Sequence, residues 1–185
     1  MPQTRIDEQI VLVSEAGEPI GSTPKLASHH AHTPLHRGFS VYIFNDRGQI
    51  LVTQRALTKK VWPSVWTNSC CGHPMPGEST PEAIKRRVAY ELGMTVDNLQ
   101  SILPNYRYTT PPYQGIIENE VCPVYFARSN DTPDPNPEQV EDYKWLSWEE
   151  FRTEASNDQG DTWSWWCKDQ LKQLPSDPKK YSTKN

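Results

Sequence analysis

The sequence predicts a single α+β domain, and three observations carry that prediction. Short apolar, β-branched runs recur between turn-forming residues. One helix with clear start and stop signals interrupts them midway. Strand pattern then resumes and closes on two more helices, so strands and helices are segregated rather than alternating. The chain is 185 residues long, enough for one well-filled core.

In chain order, Ile10–Val13 forms a first strand, and residues 22–37, rich in His and Pro, form an irregular segment. Residues 38–44 and 49–54 make a hairpin around Asn45-Asp46-Arg47-Gly48, because Asn, Asp and Gly tolerate the backbone of a tight turn. A helix opens at Ser79-Thr80-Pro81, where a hydroxyl caps the first turn and proline lacks a donor that would go unused, and it closes at Gly93. Residues 99–108 and 116–128 are strands. The polar, proline-rich stretch 129–139 is a surface loop, because 140–146 returns to strand pattern. Ser147 with Glu150 is a capping box for a short helix, and 163–173 is a last helix. The domain spans 1–175, and residues 176–185 form a polar tail expected to fray.

The net charge of −4 and pI near 5.7 offer no footprint for nucleic acid or an anionic membrane. No run approaches the roughly 18–20 apolar residues of a membrane span, and the first residues resemble neither a signal nor a transit peptide. The expected location is the cytosol. There the four cysteines, Cys70, Cys71, Cys122 and Cys167, are buried, metal-binding or catalytic rather than disulfide-bonded. Adjacent Cys70 and Cys71 bridge each other only under strain.

Candidate chemistry concentrates in four places. His29, His30, His32 and His36 fall within eight residues, and His73 is the fifth histidine. Such density suits metal ligation, although a solvated polar loop is the bland alternative. Glu118 and Glu120 share one face if their segment is extended, and two carboxylates side by side call for a cation, either a metal or an arginine. Arg87 and Glu91, four apart on the central helix, make either a surface ion pair or a site for a metal-bound phosphate. Arg55, Lys59 and Lys60 precede the cysteines and either face solvent or clamp an anion.

Together these blocks resemble one family: the type 1 isopentenyl diphosphate:dimethylallyl diphosphate isomerases, built on the Nudix fold. The resemblance is carried by LVTQRALTKKVWPSVWTNSCCGHP, by GE followed by RRVAYELG, and by IENEVCPV, and it covers almost the whole chain. It implies a single Nudix-type domain of mixed and antiparallel sheets flanked by helices. Cys71 matches the catalytic cysteine, with Cys70 at a variable position, and Glu120 the catalytic glutamate. His29, His36, His73, Glu118 and Glu120 match a three-His, two-Glu site for Mn2+ or Zn2+. His30 and His32 remain alternatives to His29. Glu91 matches a ligand of Mg2+ arriving with the substrate diphosphate, and Lys25, Arg55, Lys59 and Arg87 match the cations that hold it. Tyr108 and Trp166 match pocket aromatics facing a carbocation.

The implied activity is the reversible 1,3-allylic rearrangement of isopentenyl diphosphate to dimethylallyl diphosphate in isoprenoid biosynthesis, by protonation and deprotonation on opposite faces. A Nudix diphosphate hydrolase is the alternative. Such an enzyme would carry glutamates where Arg87 and Tyr90 stand, and without them the helix is poorly equipped to generate hydroxide. A third possibility is a zinc-stapled domain using Cys70, Cys71, His73 and Cys122, whose ligand spacing is unlike that of structural zinc sites.

Overall fold

The computed structural model describes residues 8–178 and 181. Its strands are β1 (Gln9–Val13), β2 (Pro19–Pro24), β3 (His36–Arg37), β4 (Phe39–Phe44), β5 (Ile50–Arg55), β6 (Trp66–Thr67), β7 (Cys70–Gly72), β8 (Asp97–Leu103), β9 (Arg107–Thr109), β10 (Asn119–Val121), β11 (Val124–Arg128) and β12 (Val140–Leu146). The helices are α1 (Lys25–Ser28), α2 (Thr80–Leu92), α3 (Trp148–Asn157) and α4 (Trp165–Leu171).

Two mixed sheets form. One runs β2-β1-β3-β10-β9, the other β12-β5-β4-β11-β8, with β6 on β5 and β7 on β4. The strand alternation of β4 divides the core in two. Phe39, Val41 and Ile43 join Ile84, Val88 and Leu92 of α2, whereas Tyr42 and Phe44 join Trp148 and Phe151 of α3 and Trp166 and Leu171 of α4. The larger sheet is therefore covered by helices on both faces. No helix among the described residues is long and apolar enough to cross a membrane.

Two strand pairs pass from one sheet to the other. Parallel β3 and β10 belong to the first sheet, and their continuations β4 and β11, also parallel, to the second. The breaks fall at Gly38 and at Cys122-Pro123, where proline has no N–H for the ladder. Residues 116–128 are consequently two short strands rather than one. Residues 99–108 are likewise split, by the turn at Pro104 and Asn105.

The hairpin β4–β5 pairs Phe44 with Ile50 at its turn and then parts. Asn68 and Ser69 fill the opening. The Ser69 hydroxyl accepts from Ile43 N at 2.7 Å and donates to Leu51 O at 2.6 Å, so one side chain replaces a rung of the ladder. The Asn68 amide donates to Val41 O and Cys70 O at 3.0 and 2.9 Å. This wedge is what turns β7 alongside β4 and aims Cys71.

α2 has the expected Ser79 hydroxyl cap, completed into a capping box by Glu82, and ends on left-handed Gly93, φ 62°. The segment 22–37 is more regular than expected. Register pairing with β1, Ile10 opposite Thr23, holds β2 extended, and one helical turn follows. The last helix begins at Trp165 rather than Trp163, because Trp163 bridges Trp66 and Ser164 caps the first turn through Cys167 N. Of the tail, Pro175 O accepts from Trp148 Nε1 at 3.1 Å and the Tyr181 ring lies 5.6 Å from Phe126. Residues 179, 180 and 182–185 lie outside the described residues, as do 1–7.

Candidate active site

In the first sheet, Tyr108, Glu120 and His36 stand opposite one another on three adjacent strands, so their side chains leave the same face. His73 follows β7, His29 follows α1, and Glu118 immediately precedes β10. The three imidazoles meet with ring centroids 5.0–5.7 Å apart. Nitrogens of His29, His36 and His73 lie within 4.8 Å of one another, as do the donor atoms of His36, Glu118 and Glu120. His73 Nε2 is 2.9 Å and His36 Nε2 3.5 Å from Glu120 Oε1, and His29 Nε2 is 3.3 Å from Glu118 Oε2.

The donor set fits a cation. His29 Nδ1 lies 2.6 Å from Lys25 O and His36 Nδ1 2.8 Å from Pro34 O, and since a carbonyl only accepts, each Nδ1 carries the proton. Both Nε2 atoms therefore present lone pairs inward. His36 Nε2 and Glu118 Oε2 are buried without a hydrogen bond, a costly arrangement that a shared cation would relieve. Burial, opposed by Glu120, depresses His73 to about 3, so its ring is neutral as a ligand must be. Burial would raise Glu120, but His36 and His73 outweigh it and hold the carboxyl well below its ordinary range. His29 is raised, burial being overcome by Glu118 and the Lys25 carbonyl. His30 Nδ1 instead accepts from His32 N at 3.0 Å, on an exposed turn away from the cluster.

Glu120 Oε2 also accepts from the Tyr108 hydroxyl at 3.1 Å and packs flat over Gly38. Cys71, opposite Ser40 in register, points to the α4 side, whereas Cys70 points into the core under α2. The two thiols thus face opposite ways, which leaves no shared site for a zinc staple. Cys71 Sγ donates to Asn68 Oδ1 at 3.1 Å and lies 3.5 Å from Ser40 Oγ. Burial raises its pKa to about 11, the Glu120 carboxylate adding to the rise and the Ser40 hydroxyl opposing it. Cys122 and Cys167 are fully buried.

The aromatic wall is Trp166, with the Trp62 ring 5.7 Å and the Tyr108 ring 6.5 Å away, and the Arg55 guanidinium 5.6 Å from its face. Arg55 is braced on the carbonyls of Trp62 and Val61. The loop that supplies them is strained, with φ of 52° at Trp62 and 63° at Ser64.

On the α2 side, Arg87 is buried between Glu91 and Glu8. Lys25 Nζ also binds Glu8, at 2.8 Å, and Lys59 binds Gln139. Lys59 is depressed to about 7, by burial first and by the charges of Arg55, Lys25 and Arg87, with Glu91 opposing. Lys25, Arg55, Lys59 and Arg87 are therefore electrostatic neighbours around Glu91, whereas Lys60 is exposed. Sequence reasoning missed Glu8, Gln139, Ser40 and Gln170. Glu8 and Gln139 lie 79 and 52 positions along the chain from Arg87, and no local pattern links them.

Residues 34–171 match the family model of the NUDIX domain. DR0079 of Deinococcus radiodurans has the same fold, with a TM-score of 0.70 at 21% identity, covering 90% of this chain and 99% of its own. A MutT NUDIX hydrolase from Burkholderia pseudomallei follows at TM-score 0.57 and 20% identity, covering 76% and 98%. The chain belongs to the Nudix family.

Its curated relatives narrow this further. The isopentenyl-diphosphate Delta-isomerase of Saccharopolyspora erythraea is 49% identical over 90% of this chain and 86% of its own length. That of Paenarthrobacter aurescens is 50% identical over 76% of each. Within the Nudix family, the chain is one of the isopentenyl-diphosphate Delta-isomerases.

Proposed function

We infer that this enzyme interconverts isopentenyl and dimethylallyl diphosphate, moving one double bond by one carbon, with Cys71 and Glu120 as its proton-transfer groups. The observation that carries the assignment is the placement, in one site, of a thiol that donates its hydrogen bond to Asn68 and a carboxylate held by two histidines and Tyr108. Cys71 is held neutral by burial, while Glu120, tied to two histidines and Tyr108, is held ionised. A protonated thiol and an ionised carboxylate supply an acid and a base, as adding one proton to an alkene and removing another requires. In the reverse direction the two groups exchange roles.

His29, His36, His73, Glu118 and Glu120 would hold the resident cation. Five N/O donors exceed the tetrahedral habit of zinc and suit Mn2+, with Zn2+ favoured by the three imidazoles. Bound there, the cation supplies a fixed positive charge that tunes and orients the Glu120 carboxyl. Glu91 would take the Mg2+ that accompanies the diphosphate, and Lys25, Arg55, Lys59 and Arg87 would neutralise the anion. Arg87 occupies a position where a hydrolase would need a carboxylate, which favours keeping the diphosphate over cutting it.

The five-carbon unit would lie against Trp166 and Tyr108. A desolvated cation–π contact contributes about 2 kcal/mol, roughly thirtyfold in rate. Positioning of the acid and exclusion of water supply the larger share. The small, charged, water-soluble diphosphate substrate favours a cytosolic step of isoprenoid precursor synthesis.

Incubation of the purified protein with isopentenyl diphosphate and Mg2+ in D2O tests this. Deuterated dimethylallyl diphosphate is expected. Inorganic phosphate or pyrophosphate released without the isomer would establish a hydrolase instead.

A further inference from the structure

The thiol of Cys71 is held by a hydrogen-bond chain that reaches α4, and the directions of the bonds made by Asn68, Tyr42 and Gln170 can be worked out. Asn68 Nδ2 is committed to two backbone carbonyls, so Asn68 Oδ1 is fixed as an acceptor. It receives the Thr67 hydroxyl at 2.9 Å and the Cys71 thiol at 3.1 Å. On the other side of the sulfur stands Ser40. The Tyr42 hydroxyl donates to Gln170 Oε1 at 2.7 Å, which turns Gln170 Nε2 toward Ser40 Oγ at 2.9 Å. With that lone pair taken, the Ser40 proton has two sulfurs within reach, Cys71 Sγ and Cys122 Sγ, both at 3.5 Å. All of Tyr42, Ser40 and Gln170 are essentially inaccessible to solvent, so no water substitutes for these bonds.

We propose that Ser40, oriented by Gln170, is a positioning residue for the Cys71 thiol: its hydroxyl turns from Cys122 to Cys71 as the proton leaves the sulfur. The inference rests on Cys71 being a proton-transfer group. Asn68 can only accept, so it favours the protonated thiol and offers nothing to the sulfur after transfer. Ser40 is the one neighbouring side chain among those bonded to Cys71 Sγ that can donate. A hydrogen bond that strengthens only as charge develops lowers the barrier without tightening substrate binding. Cys122 serves as the resting acceptor, which keeps the hydroxyl satisfied when Cys71 is protonated.

The test is steady-state kinetics of Ser40→Ala, Gln170→Met and the double variant on the Mg2+-supplied enzyme, with thermal unfolding as a check on folding. Ser40→Ala should lower kcat about tenfold, the worth of one charge-assisted bond, with KM unchanged. Gln170→Met should lower kcat less, and the double variant should match Ser40→Ala, because Gln170 acts through Ser40. A kcat for Ser40→Ala near wild type would overturn the proposal. So would a loss that appears equally in KM, or strictly additive losses in the double variant. If Ser40→Ala does not fold, Gln170→Met alone decides: a lowered kcat at constant KM supports the chain, and an unchanged kcat overturns it. Cys71→Ala, run alongside, separates this failure from a wrong assignment of the thiol, since an active Cys71→Ala enzyme would refute the latter.

Discussion

Replacing Gly38 with alanine tests the geometry of the site through a single methyl group. A Cβ built on Gly38 would lie 2.2 Å from Glu120 Oε2, 2.6 Å from its Cδ and 3.0 Å from Oε1. A relaxed carbon–oxygen contact is about 3.3 Å, so the nearest oxygen must retreat by roughly 1 Å. Retreat is not free, because the carboxylate is held by His73 at 2.9 Å and Tyr108 at 3.1 Å. A displacement of about 1 Å at a reacting group costs on the order of a hundredfold in rate. Gly38→Ala should therefore fold, bind isopentenyl diphosphate with little change in KM, and lose about two decades in kcat. Its content of Mn2+ or Zn2+, measured by elemental analysis after gel filtration, should fall with it. A Gly38→Ala enzyme with full activity and full metal would show that Glu120 does not work from its position over this glycine.

Other perturbations separate the remaining roles. Cys71→Ala and Glu120→Gln should abolish isomerisation, whereas Trp166→Phe should retain activity within about thirtyfold of wild type, since only part of a cation–π contact is lost; a dead Trp166→Phe protein that still folds would refute the pocket role. Lys59 is protonated below about pH 7 and neutral above it, so KM at saturating Mg2+ should rise as pH climbs through 7. Lys59→Arg, charged throughout, should remove that rise, and a KM flat from pH 6 to 8.5 in wild type would exclude Lys59 from the diphosphate. Chelation of the resident cation uncovers the two carboxylates and the bare His36 nitrogen. At a cation concentration a hundredfold above its Kd, the lost stabilisation of about 2.7 kcal/mol should lower Tm by roughly 5–10 °C. A Tm indifferent to chelator would count against the His/Glu cluster as a metal site.

Legibility from sequence followed the distance over which each feature is determined. α2 was readable at both ends because its serine cap and proline, and its terminal glycine, each act within a turn, although the Glu82 half of its capping box was not read. Features fixed by pairing across the chain were not. β2 reads as PIGSTP, a poor strand by composition, and is extended because β1 lies beside it. The breaks at Pro104 and Pro123 were written in the sequence, yet apolar periodicity runs across them, and only the change of sheet shows that the strands end there. Of the site, the spacing of Glu118 and Glu120 and the density of histidines were visible, whereas the choice of His29 over His30 depends on the end of α1 directing one ring toward Glu118. Asn68 and Ser69 sat in plain view inside a motif read for its cysteines, but their bonding into the opening between β4 and β5 has no local signature.

The placement of the site follows from the crossing between the two sheets. His36 and Ser40 lie four residues apart on one chain segment, Glu120 and Val124 four apart on its parallel partner, and the breaks at Gly38 and Pro123 fall between them. Upstream of the crossing, the row Tyr108–Glu120–His36 contributes Glu120 and His36 to the His/Glu cluster. Downstream, the row Val124–Ser40–Cys71 carries the thiol toward α4. The proposed acid–base pair is thus set by one structural joint rather than by two independent loops. That joint is tight, because the Glu120 carboxylate packs directly on the glycine that forms it. Lengthening or stiffening either strand at the crossing should disturb the thiol and the carboxylate together, whereas changes in α2, on the far face of the larger sheet, should act on the diphosphate end and leave the spacing of the proton-transfer groups intact.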